Sequence, residues 1–418
     1  MLIRDTVHGD IDLTPVETAV LDSPALQRMR GIKQLGAATY VYPGALHSRF
    51  EHSLGTCSTA HRIIASIRRS GVPVDAGIES LVGVAALLHD VTHIPFGHTL
   101  EDERRLFPRH DEGDRFDRLL AGELGATLDG LGIRSGVLSV LTGDGDTPRW
   151  AGDVVSSTID ADLLDYLRRD SLYTGLAQNY DDRVFRYFTV SHGRLVLDMN
   201  KHGMTRPDAW SEIVQLLRMR YFLTERVYYH QTKVAAGAMI SKAVELALSA
   251  GGLSETALLD FNDWSLLAHL AHLGLPPVTT LVDRLERRRL FKRGYILSSN
   301  TLSADERHGF VARYHESRQA REAAEHQLAA AIGAGNDEVI LYCPALTQMK
   351  EASALISTGD GIAPMTEIAG AATGEITALA ERHATLWRVY VFAPQEHLAR
   401  LESAAAELFG KPSEHRLR

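Results

Sequence analysis

Helical spacing of apolar residues dominates the first half of the chain, where polar residues, glycine and proline separate one apolar run from the next. The pattern predicts a helix from about Ser53 to Arg69, which Gly71 and Pro73 stop, and an apolar helix from about Ala76 to His89. One long helix is expected from Asp208 to about Ala250. Helix is therefore the main expected element.

Strand patterns are few. The run D-I-D-L is the only early candidate strand, and F-T-V-S-H-G-R-L-V-L-D alternates around His192 and Gly193 as a β-hairpin does. Compact β-branched and aromatic runs lie near residues 337–343 and 387–393, and an amphipathic helix is predicted from Gln395 to Phe409. These runs predict a small α+β lobe near the C-terminus.

The middle of the chain is expected to be helical. Helices are predicted to continue from Asn262 to Leu297, and Ser303 to Ala334 is polar in the manner of a long solvent-exposed helix. A chain of 418 residues exceeds what one hydrophobic core usually supports, so two regions are expected. We place them at residues 1–250, a helical core with a β-hairpin insertion, and 251–418, a helical and α+β region. The expected fold class is mainly α.

Composition places the chain among globular proteins, with 45% apolar and 23% charged residues. Its formal net charge of -9 argues against a nucleic-acid coat, although a metal ion and a few arginines would still let it bind one phosphate-bearing substrate. Cys57 and Cys343 lack C-x-x-C spacing and are expected to be reduced thiols. No apolar run approaches the roughly 20 residues that span a bilayer and no signal-peptide pattern begins the chain, which predicts a cytoplasmic protein without membrane contact.

Histidines are concentrated in one stretch. Seven of the 19 fall between His47 and His110. The run H-S-R-F-E-H ends at His52, and an apolar run ends at His89 and Asp90. Burying an aspartate beside a histidine is costly unless a cation or hydrogen bonds neutralise it. Because imidazole and carboxylate groups bind divalent transition metals that activate water, the sequence predicts a metal-dependent hydrolase.

A further carboxylate ligand is expected from the run D-A-D-L-L-D-Y-L-R-R-D. At helical spacing, Asp165 points away from four side chains that share one face: Asp162, Tyr166, Arg169 and Asp170. The alternative interpretation is an acidic helix that faces solvent and carries ion pairs along its own surface.

The order of these motifs resembles a known family. The blocks that carry the likeness are D-S-P-A-L-Q-R-M-R-G-I-K-Q-L-G, L-H-S-R-F-E-H-S-L-G, H-D-V-T-H-I-P-F-G-H, D-A-D-L-L-D-Y-L-R-R-D and R-M-R-Y-F-L-T-E-R-V-Y-Y-H. They lie within roughly residues 1–235 and resemble the HD-domain deoxynucleoside triphosphate triphosphohydrolase family. The resemblance implies an HD-domain helical core. It also implies hydrolysis of deoxynucleoside triphosphates to deoxynucleoside and inorganic triphosphate, by attack of water on the α-phosphorus.

The resemblance implies roles for single residues. Four would bind a divalent metal, expected to be manganese, iron or magnesium, with nickel, cobalt or zinc as substitutes in a crystal: His52, His89, Asp90 and Asp162. Four would line the reaction centre: His93, His98, Glu101 and His110. Because the leaving 5′-oxygen needs a proton, His98, oriented by Glu101, is the candidate general acid.

Substrate contacts follow in the same way. Seven residues match substrate positions of the family: Gln34, Leu35, Arg49, Tyr166, Asp170, Arg220 and Tyr228. Arg49 and Arg220 would bind phosphate, since a guanidinium makes paired bonds to phosphate oxygens. Gln34 and Asp170 would bond the 3′-hydroxyl, Tyr166 would crowd the 2′ position, and Tyr228 would pack by the base. Leu163 stands where relatives can carry a phosphate-binding lysine, which keeps a different nucleotide substrate open.

Some relatives assemble as nucleotide-activated tetramers. Three residues match positions that read a guanine there: Asp22, Gln27 and Arg30. Met1 and Arg4 stand where relatives offer other side chains, and the alternative is that Asp22 simply caps the helix carrying Gln27 and Arg30. The expected partners are deoxynucleoside triphosphates, a nucleotide activator and further copies of the chain, as a dimer or tetramer.

Two other functions stay open. One is an HD phosphohydrolase that acts on another nucleotide, such as a monophosphate or a modified triphosphate. The other is a nucleotide-binding regulator without catalysis, against which the full set of predicted ligands argues. A nuclease acting on single strands is disfavoured, because the chain is acidic and lacks a basic, aromatic tract.

Overall fold

The computed structural model describes residues 1–201, 204–346, 348–358, 361–368 and 371–414, and helices make up most of it, which confirms the mainly α fold class. The helices are α1 (Pro15–Leu21), α2 (Pro24–Arg28), α3 (Arg49–Arg69), α4 (Ala76–Leu88), α5 (Arg115–Leu120), α6 (Glu123–Gly130), α7 (Arg134–Thr142), α8 (Arg149–Val155), α9 (Ala161–Thr174), α10 (Pro207–Leu223), α11 (Gln231–Ser249), α12 (Asp263–His272), α13 (Pro276–Glu286), α14 (Ala304–Phe310), α15 (Arg318–Ile332), α16 (Ala371–Ala384) and α17 (Leu398–Phe409). The strands are β1 (Leu2–Asp5), β2 (Gly9–Asp12), β3 (Phe188–Ser191), β4 (Arg194–Asp198), β5 (Asn200–Lys201), β6 (Met204–Thr205), β7 (Lys292–Ser298), β8 (Ile340–Tyr342), β9 (Leu355–Thr358), β10 (Gly361–Pro364) and β11 (Arg388–Ala393). Within these residues no single helix is long and apolar enough to cross a bilayer, and only α6 and α7, as a bent pair, match such a span in length and composition.

Helices α3, α4 and α9 form the centre of the first region, where α3 packs against both of the others. The Ser48 side chain accepts a hydrogen bond from the Glu51 N–H, and the Glu51 carboxylate accepts one from the Ser48 N–H. This capping box begins α3 more than one turn before the predicted start at Ser53, which is therefore wrong. The predicted apolar helix is confirmed as α4, which ends just before His89.

Two hairpins flank these helices. β1 pairs antiparallel with β2, which includes most of the predicted D-I-D-L strand, whereas the four residues of β1 are too few to show alternation in the sequence. The second predicted hairpin is confirmed as β3 and β4, which turn at His192 and Gly193, both with positive φ. β4 also pairs in parallel with β9, and β9 pairs with β10. The division of the chain at residue 250 stays a prediction, and this strand pairing crosses it.

The single helix expected from Asp208 to Ala250 is broken. α10 passes into a π-helical turn at Thr224–Tyr228, and His230 then adopts an extended conformation with φ -61° and ψ 122°. The His230 side chain accepts a hydrogen bond from the Thr232 N–H, so that α11 starts as a separate helix.

The C-terminal lobe contains a three-stranded antiparallel sheet in the order β7, β11, β8. The strands predicted near residues 337–343 and 387–393 are confirmed as β8 and β11, and the predicted amphipathic helix is confirmed as α17. α12 and α13 confirm the first part of the helical stretch expected from Asn262. Its continuation to Leu297 is wrong, because Lys292–Ser298 forms β7, whose apolar residues are buried in the sheet.

α15 is not the exposed helix that the polar run from Ser303 to Ala334 predicts. That run divides into α14, a π-helical turn and α15, and α15 buries Glu325 completely. Glu325 Oε1 accepts from Arg104 Nη1 at 2.7 Å, and Oε2 accepts from Lys242 Nζ at 2.7 Å. The charged pattern therefore conceals a buried ion cluster, which connects the lobe to α11 and to the loop after His98.

Candidate metal centre and adjoining cleft

Helix ends bring four potential ligands together. His52 lies in the first turn of α3, and His89 and Asp90 directly follow α4. Asp162 lies in the first turn of α9, which the Asp160 side chain caps. Each predicted ligand is therefore held by the end of a packed helix, where the backbone is well fixed.

One atom each from His52, His89 and Asp162 lies within 4.8 Å of the other two, close enough for one cation to contact all three, and Asp90 adjoins this group. His52 Nε2 is 2.9 Å from Asp162 Oδ1 and 3.2 Å from His89 Nε2. Asp90 is 3.8 Å from His52 Nε2 through Oδ2 and 3.6 Å from His89 Nε2 through Oδ1. Ligands about 2.1 Å from a metal and at right angles to one another are about 3 Å apart, so the separations among His52, His89 and Asp162 fit a single ion. Asp90 is next to this trio but approaches its two histidines through different oxygens. Two imidazoles and two carboxylates suit manganese, iron or another divalent first-row metal.

Electrostatics favour positive charge at this point. Burial alone would lower the pKa of His52, but hydrogen bonds to Asp162 and Asp165 outweigh it and raise the pKa to about 10. Burial alone would raise the pKa of Asp162, yet His52 and His89 hold that pKa well below its usual range. In the protein without a metal, a proton on His52 balances the negative charge of the nearby carboxylates. A bound divalent cation would replace that proton and balance the same charge.

Asp165 supports His52 from the side opposite the ligand atom. Its Oδ2 is 2.7 Å from His52 Nδ1, and its Oδ1 is 2.6 Å from His8 Nε2. Arg169 donates to both oxygens of Asp165, at 2.8 Å and 2.9 Å, and to Asp5 of the N-terminal hairpin at 2.9 Å. A carboxylate on the second ring nitrogen fixes the tautomer and the orientation of a ligand histidine.

The sequence missed this support, although it predicted that Asp165 points away from Asp162. Arg169 does not extend along the face of Asp162 as the spacing predicts, because its long side chain turns back to Asp165 four residues earlier. Gly55 makes room for the pair, since a Cβ there would lie 1.9 Å from Asp165 Oδ1 and 2.4 Å from Arg169 Nη2. The glycine in H-S-L-G was the one local signal for a close approach at this position.

A second group of imidazole and carboxylate side chains adjoins Asp90. His93 Nε2 is 3.3 Å from Asp90 Oδ1, and the His93 ring stacks on His110 with centroids 3.8 Å apart. Glu101 Oε2 is 3.6 Å from His93 Nδ1 and 3.7 Å from His110 Nδ1, while its Oε1 accepts from Arg115. Burial holds the pKa of His93 well below its usual range, and neither of its ring nitrogens makes a hydrogen bond within the described chain. His93 is thus a buried imidazole beside Asp90 with unused hydrogen-bonding capacity.

His98 pairs with Asp102, not with Glu101 as the sequence predicts. His98 Nδ1 is 2.7 Å from Asp102 Oδ2, and Arg109 donates to the other oxygen of Asp102 at 3.1 Å. Glu101 lies within 4.8 Å of His98 without bonding it. Asp102 lies in the π-helical turn at Thr99–Glu103 and follows His98 by four residues, a spacing at which side chains share a helical face.

A cleft of about 560 Å³ opens beside these groups, a volume typical of small-molecule sites. Its walls include eight of the predicted residues: Gln34, Leu35, Arg49, His98, Tyr166, Asp170, Arg220 and Tyr228. Its basic residues are Lys33, Arg49, Arg109, Arg220, Lys233 and Lys350. Its acidic residues are Asp102, Glu103, Asp170 and Glu351, so the lining has a small excess of basic residues in a chain that is acidic as a whole.

One wall of the cleft joins Asp170, Tyr228 and Gln34. Tyr228 Oη donates to Asp170 Oδ2 at 2.7 Å, and His47 Nε2 is 2.9 Å from Asp170 Oδ1. Gln34 Oε1 is buried and accepts no hydrogen bond from the residues that the structure describes. It therefore offers a free acceptor to a hydroxyl group of a ligand.

The two predicted phosphate-binding arginines are both held by carboxylates. Arg49 donates to Asp90, which places it directly beside the ligands. Arg220 Nε donates to Glu351 Oε1 at 3.0 Å, and its guanidinium lies 5.3 Å from the Tyr228 ring centroid. Glu351 belongs to a wall of the cleft that comes from the C-terminal lobe, together with Tyr342, Pro344, Ala345, Leu346, Gln348 and Lys350. The sequence carries no local signal for this wall.

Leu163 is buried in the hydrophobic core and does not line the cleft.

The predicted activator residues lie together near the start of α3. Gln27 Nε2 donates to the Leu21 carbonyl, Arg30 donates to Gln27 Oε1 at 2.8 Å, and Arg30 lies 3.6 Å from the Phe50 ring centroid. Asp22 ends α1 rather than capping α2, where Ser23 is the N-cap, so the capping alternative is wrong. The activator role stays a prediction.

Two family models match the chain: the HD domain over residues 49–128 and the HD associated region over residues 181–417. The second match covers more than half of the chain. The chain belongs to the HD-domain family. Three of the four converging ligands lie within the HD domain match, and Asp162 lies between the two matches.

Related sequences extend over most of the chain. An uncharacterized protein from Methanocaldococcus jannaschii is 31% identical over 411 residues, which is 96% of this chain and 80% of that protein. Deoxynucleoside triphosphate triphosphohydrolase SAMHD1 from Bos taurus is 27% identical over 345 residues, which is 70% of this chain and 58% of that protein. The Homo sapiens protein of the same name is 26% identical over 70% of this chain and 54% of its own length. The chain thus spans little more than half the length of these SAMHD1 proteins.

Solved structures share the HD fold over nearly the whole chain. A phosphohydrolase from Bacteroides thetaiotaomicron VPI-5482 has a TM-score of 0.73 and 24% identity, covering 94% of this chain and 100% of its own. A hypothetical protein from Aquifex aeolicus has a TM-score of 0.69 and 20% identity, covering 97% and 99%. The helical HD core with an α+β C-terminal lobe is therefore confirmed as a shared architecture.

Proposed function

We propose that the chain hydrolyses deoxynucleoside triphosphates to deoxynucleoside and inorganic triphosphate. The proposal rests mainly on the convergence of His52, His89 and Asp162, with Asp90 next to them, beside a cleft whose walls include Arg49 and Arg220. The likeness to proteins named as deoxynucleoside triphosphate triphosphohydrolases supports the substrate. A divalent metal, when bound by these ligands, supplies an activated water and neutralises phosphate charge.

The arginines of the cleft hold the phosphates. Arg49 is oriented by Asp90, and its Nε is buried with no partner in the described chain, so it has N–H groups left for phosphate oxygens. Arg220 uses Nε for Glu351, which leaves both terminal nitrogens for phosphate. Gln34 and the Asp170–Tyr228 pair take the sugar, and the ring of Tyr166 excludes a 2′-hydroxyl.

His98 is the proposed general acid. Asp102 accepts from its Nδ1, which leaves Nε2 to donate a proton to the 5′-oxygen as the bond from that oxygen to the α-phosphorus breaks. Asp102 in turn fixes the orientation of the ring. The half-exposed position of His98 in the wall of the cleft lets its ring reach the leaving group.

The test is product analysis with purified protein, manganese and each deoxynucleoside triphosphate in turn. We expect deoxynucleoside and inorganic triphosphate in equal amounts. Asp162→Ala should reduce turnover by about 100-fold or more, because a ligand is lost. The exposed Asp305→Ala is the matched control and should keep full turnover. Release of orthophosphate or pyrophosphate instead would show that a different bond is cleaved.

A second candidate function is hydrolysis of another nucleotide, such as a monophosphate. The observation that favours it is the position of Leu163, whose side chain is buried in the core and offers no charge to the cleft. Glu351 adds a negative charge to the same cleft. Orthophosphate release from deoxynucleoside monophosphates, with no turnover of triphosphates, would support this candidate over the first.

A further inference from the structure

A second recess with basic walls lies on α3, away from the metal ligands. It has a volume of about 520 Å³ and is formed by α3 and the 3-10 turn Asp182–Arg186. Arg62 and Arg69 come from α3, one above the other on the same face at a spacing of two turns. At 1.5 Å per residue they are about 15 Å and about 25 Å along the helix from His52. The recess is thus separate from the cleft.

The charge of this recess is opposite to that of the whole chain. Four arginines and only two aspartates line it, in a protein of net charge -9. The Asp181 side chain accepts from the Arg183 backbone N–H and caps the turn. The Asp182 carboxylate is bonded by Arg62 at 2.9 Å and by Arg168 at 2.6 Å, so two cations already balance it.

Three of the arginines are free to bind a ligand. The guanidinium groups of Arg69, Arg183 and Arg186 make no ion pair or hydrogen bond to the residues that the structure describes, and all three residues are exposed. The fourth, Arg62, is fixed because it lies 3.7 Å from the centroid of the buried Phe185 ring. Three free guanidinium forks around one concave surface match several phosphate groups better than one carboxylate.

We propose that this recess binds a chain of two or more linked phosphates, independently of the metal centre. The free guanidinium groups come from two elements, so a ligand with charge distributed along its length can contact both. The one aromatic ring in the lining, Phe185, is covered by Arg62 and offers no stacking surface to a base. Recognition is therefore of the phosphates alone, whether they are an inorganic oligophosphate or the tail of a nucleotide.

The experiment is arginine modification by phenylglyoxal, read residue by residue by mass spectrometry. It uses the full chain in EDTA, at constant ionic strength, with or without inorganic tripolyphosphate. We expect saturable protection of Arg69, Arg183 and Arg186. Equal modification with and without tripolyphosphate overturns the proposal. Arg49 and Arg220 report on the cleft in the same spectra, so failure of the recess and failure of the proposed function are distinguished.

Further arms separate the sources of the phosphates. Similar protection by tripolyphosphate and by a deoxynucleoside triphosphate supports the proposal. The compound that gives half-maximal protection at the lower concentration is the preferred source of phosphates. Protection by a nucleotide without protection by tripolyphosphate overturns it, because a base would then be required. Protection only by single-stranded DNA also overturns it and marks this face as a nucleic-acid surface.

Variants provide a second measurement. The triple variant Arg69→Ser, Arg183→Ser and Arg186→Ser should weaken tripolyphosphate binding at this site about tenfold or more by calorimetry, because charge-assisted hydrogen bonds are lost. The control variant replaces three exposed arginines outside the recess: Arg289→Ser, Arg313→Ser and Arg400→Ser. It has the same change of charge and should bind as the wild type does. Equal weakening in both variants would mean that only net charge matters, which contradicts a built site.

Discussion

His98 Nδ1 lies 2.7 Å from Asp102 Oδ2, while the neighbouring carboxylate of Glu101 bonds Arg115. The two acidic residues therefore have different surroundings although they are adjacent in the chain. Asp102 orients a half-exposed imidazole in the wall of the cleft, whereas Glu101 lies beside the buried rings of His93 and His110.

The first prediction separates these two carboxylates. Asp102→Asn should lower kcat by about 100-fold with little change in KM, because His98 loses the carboxylate that orients its ring for proton transfer. The measurement is steady-state hydrolysis of a deoxynucleoside triphosphate across pH. Thr99→Ser, in the same turn, is the control and should keep kcat. A variant Asp102→Asn with unchanged kcat at every pH would mean that His98 is not the proton donor.

The second prediction concerns the support of His52. Asp165→Asn should weaken manganese affinity by about 10- to 100-fold, because the ligand imidazole loses the carboxylate that orients it. His8→Gln, which contacts only the far oxygen of Asp165, should have a smaller effect in the same direction. The measurement is competition for manganese with a chelator.

His61→Gln is the matched control for these variants. It also removes a histidine bonded to a carboxylate, Glu17, but outside the metal centre. Melting temperatures of the metal-free proteins separate weak metal binding from loss of the fold. If His61→Gln and Asp165→Asn retain manganese equally well, the orienting role of Asp165 is wrong.

The third prediction concerns stability and its dependence on pH. Burial would raise the pKa of Glu325, but Arg104 and Lys242 outweigh it and lower the pKa from 4.5 to about 2. Because the folded-state pKa is depressed, this stabilisation is present above pH 4.5 and is lost as the pH falls toward 2. Glu325→Gln should lower the free energy of unfolding by about 1.5–3 kcal/mol at pH 7, since Arg104 and Lys242 lose one of their two buried carboxylate partners and keep only Glu245.

Urea unfolding at pH 7 and at pH 3 measures this effect. The difference between wild type and Glu325→Gln should shrink at the lower pH, where the wild-type carboxylate begins to take up a proton. Glu322→Gln on the same helix removes a partly exposed pair with Arg318 and should cost less than about 1 kcal/mol. A difference that stays constant between the two pH values would contradict the depressed pKa.

The fourth prediction concerns the sugar. Tyr166 lines the cleft, and its ring centroid is 6.4 Å from that of His52. Its ring also lies next to Arg220, one of the two arginines proposed to hold the phosphates. Tyr166→Ser should raise kcat/KM for ribonucleoside triphosphates relative to deoxynucleoside triphosphates by about tenfold, because space opens at the 2′ position. Competition between ATP and dATP in one reaction measures the ratio directly. An unchanged ratio would place the 2′ position elsewhere.

Local patterns in the sequence were sufficient for the elements that depend on neighbouring residues. The apolar run of α4, the alternation in β3 and β4, and the compact runs of β8 and β11 all show in short windows, and each is confirmed. The grouping of His52, His89, Asp90 and Asp162 was also predicted, because the motifs occur in a recognisable order. Their role as ligands stays a prediction.

The errors come from tertiary context. Lys292–Ser298 has an apolar pattern compatible with helix or strand, and pairing with β11 decides for strand. The charges of α15 suggest exposure, but Glu325 is buried against cations from residues far away in sequence. The pairing of His98 with Asp102 has the four-residue spacing at which side chains share a helical face, and the prediction used the three-residue spacing of Glu101 instead. Contacts such as Asp165 with His8 and Arg220 with Glu351 join distant segments, so a single sequence offers no spacing from which to derive them.

One wall of the cleft comes from Tyr342, Pro344, Ala345, Leu346, Gln348, Lys350 and Glu351, far along the chain from the candidate metal ligands. Substitutions at these positions would change the space in the cleft while the candidate metal ligands stay as they are. Two proteins with identical histidine and aspartate motifs can therefore differ in what they degrade. An inventory of ligands alone is a poor guide to substrate choice in such chains.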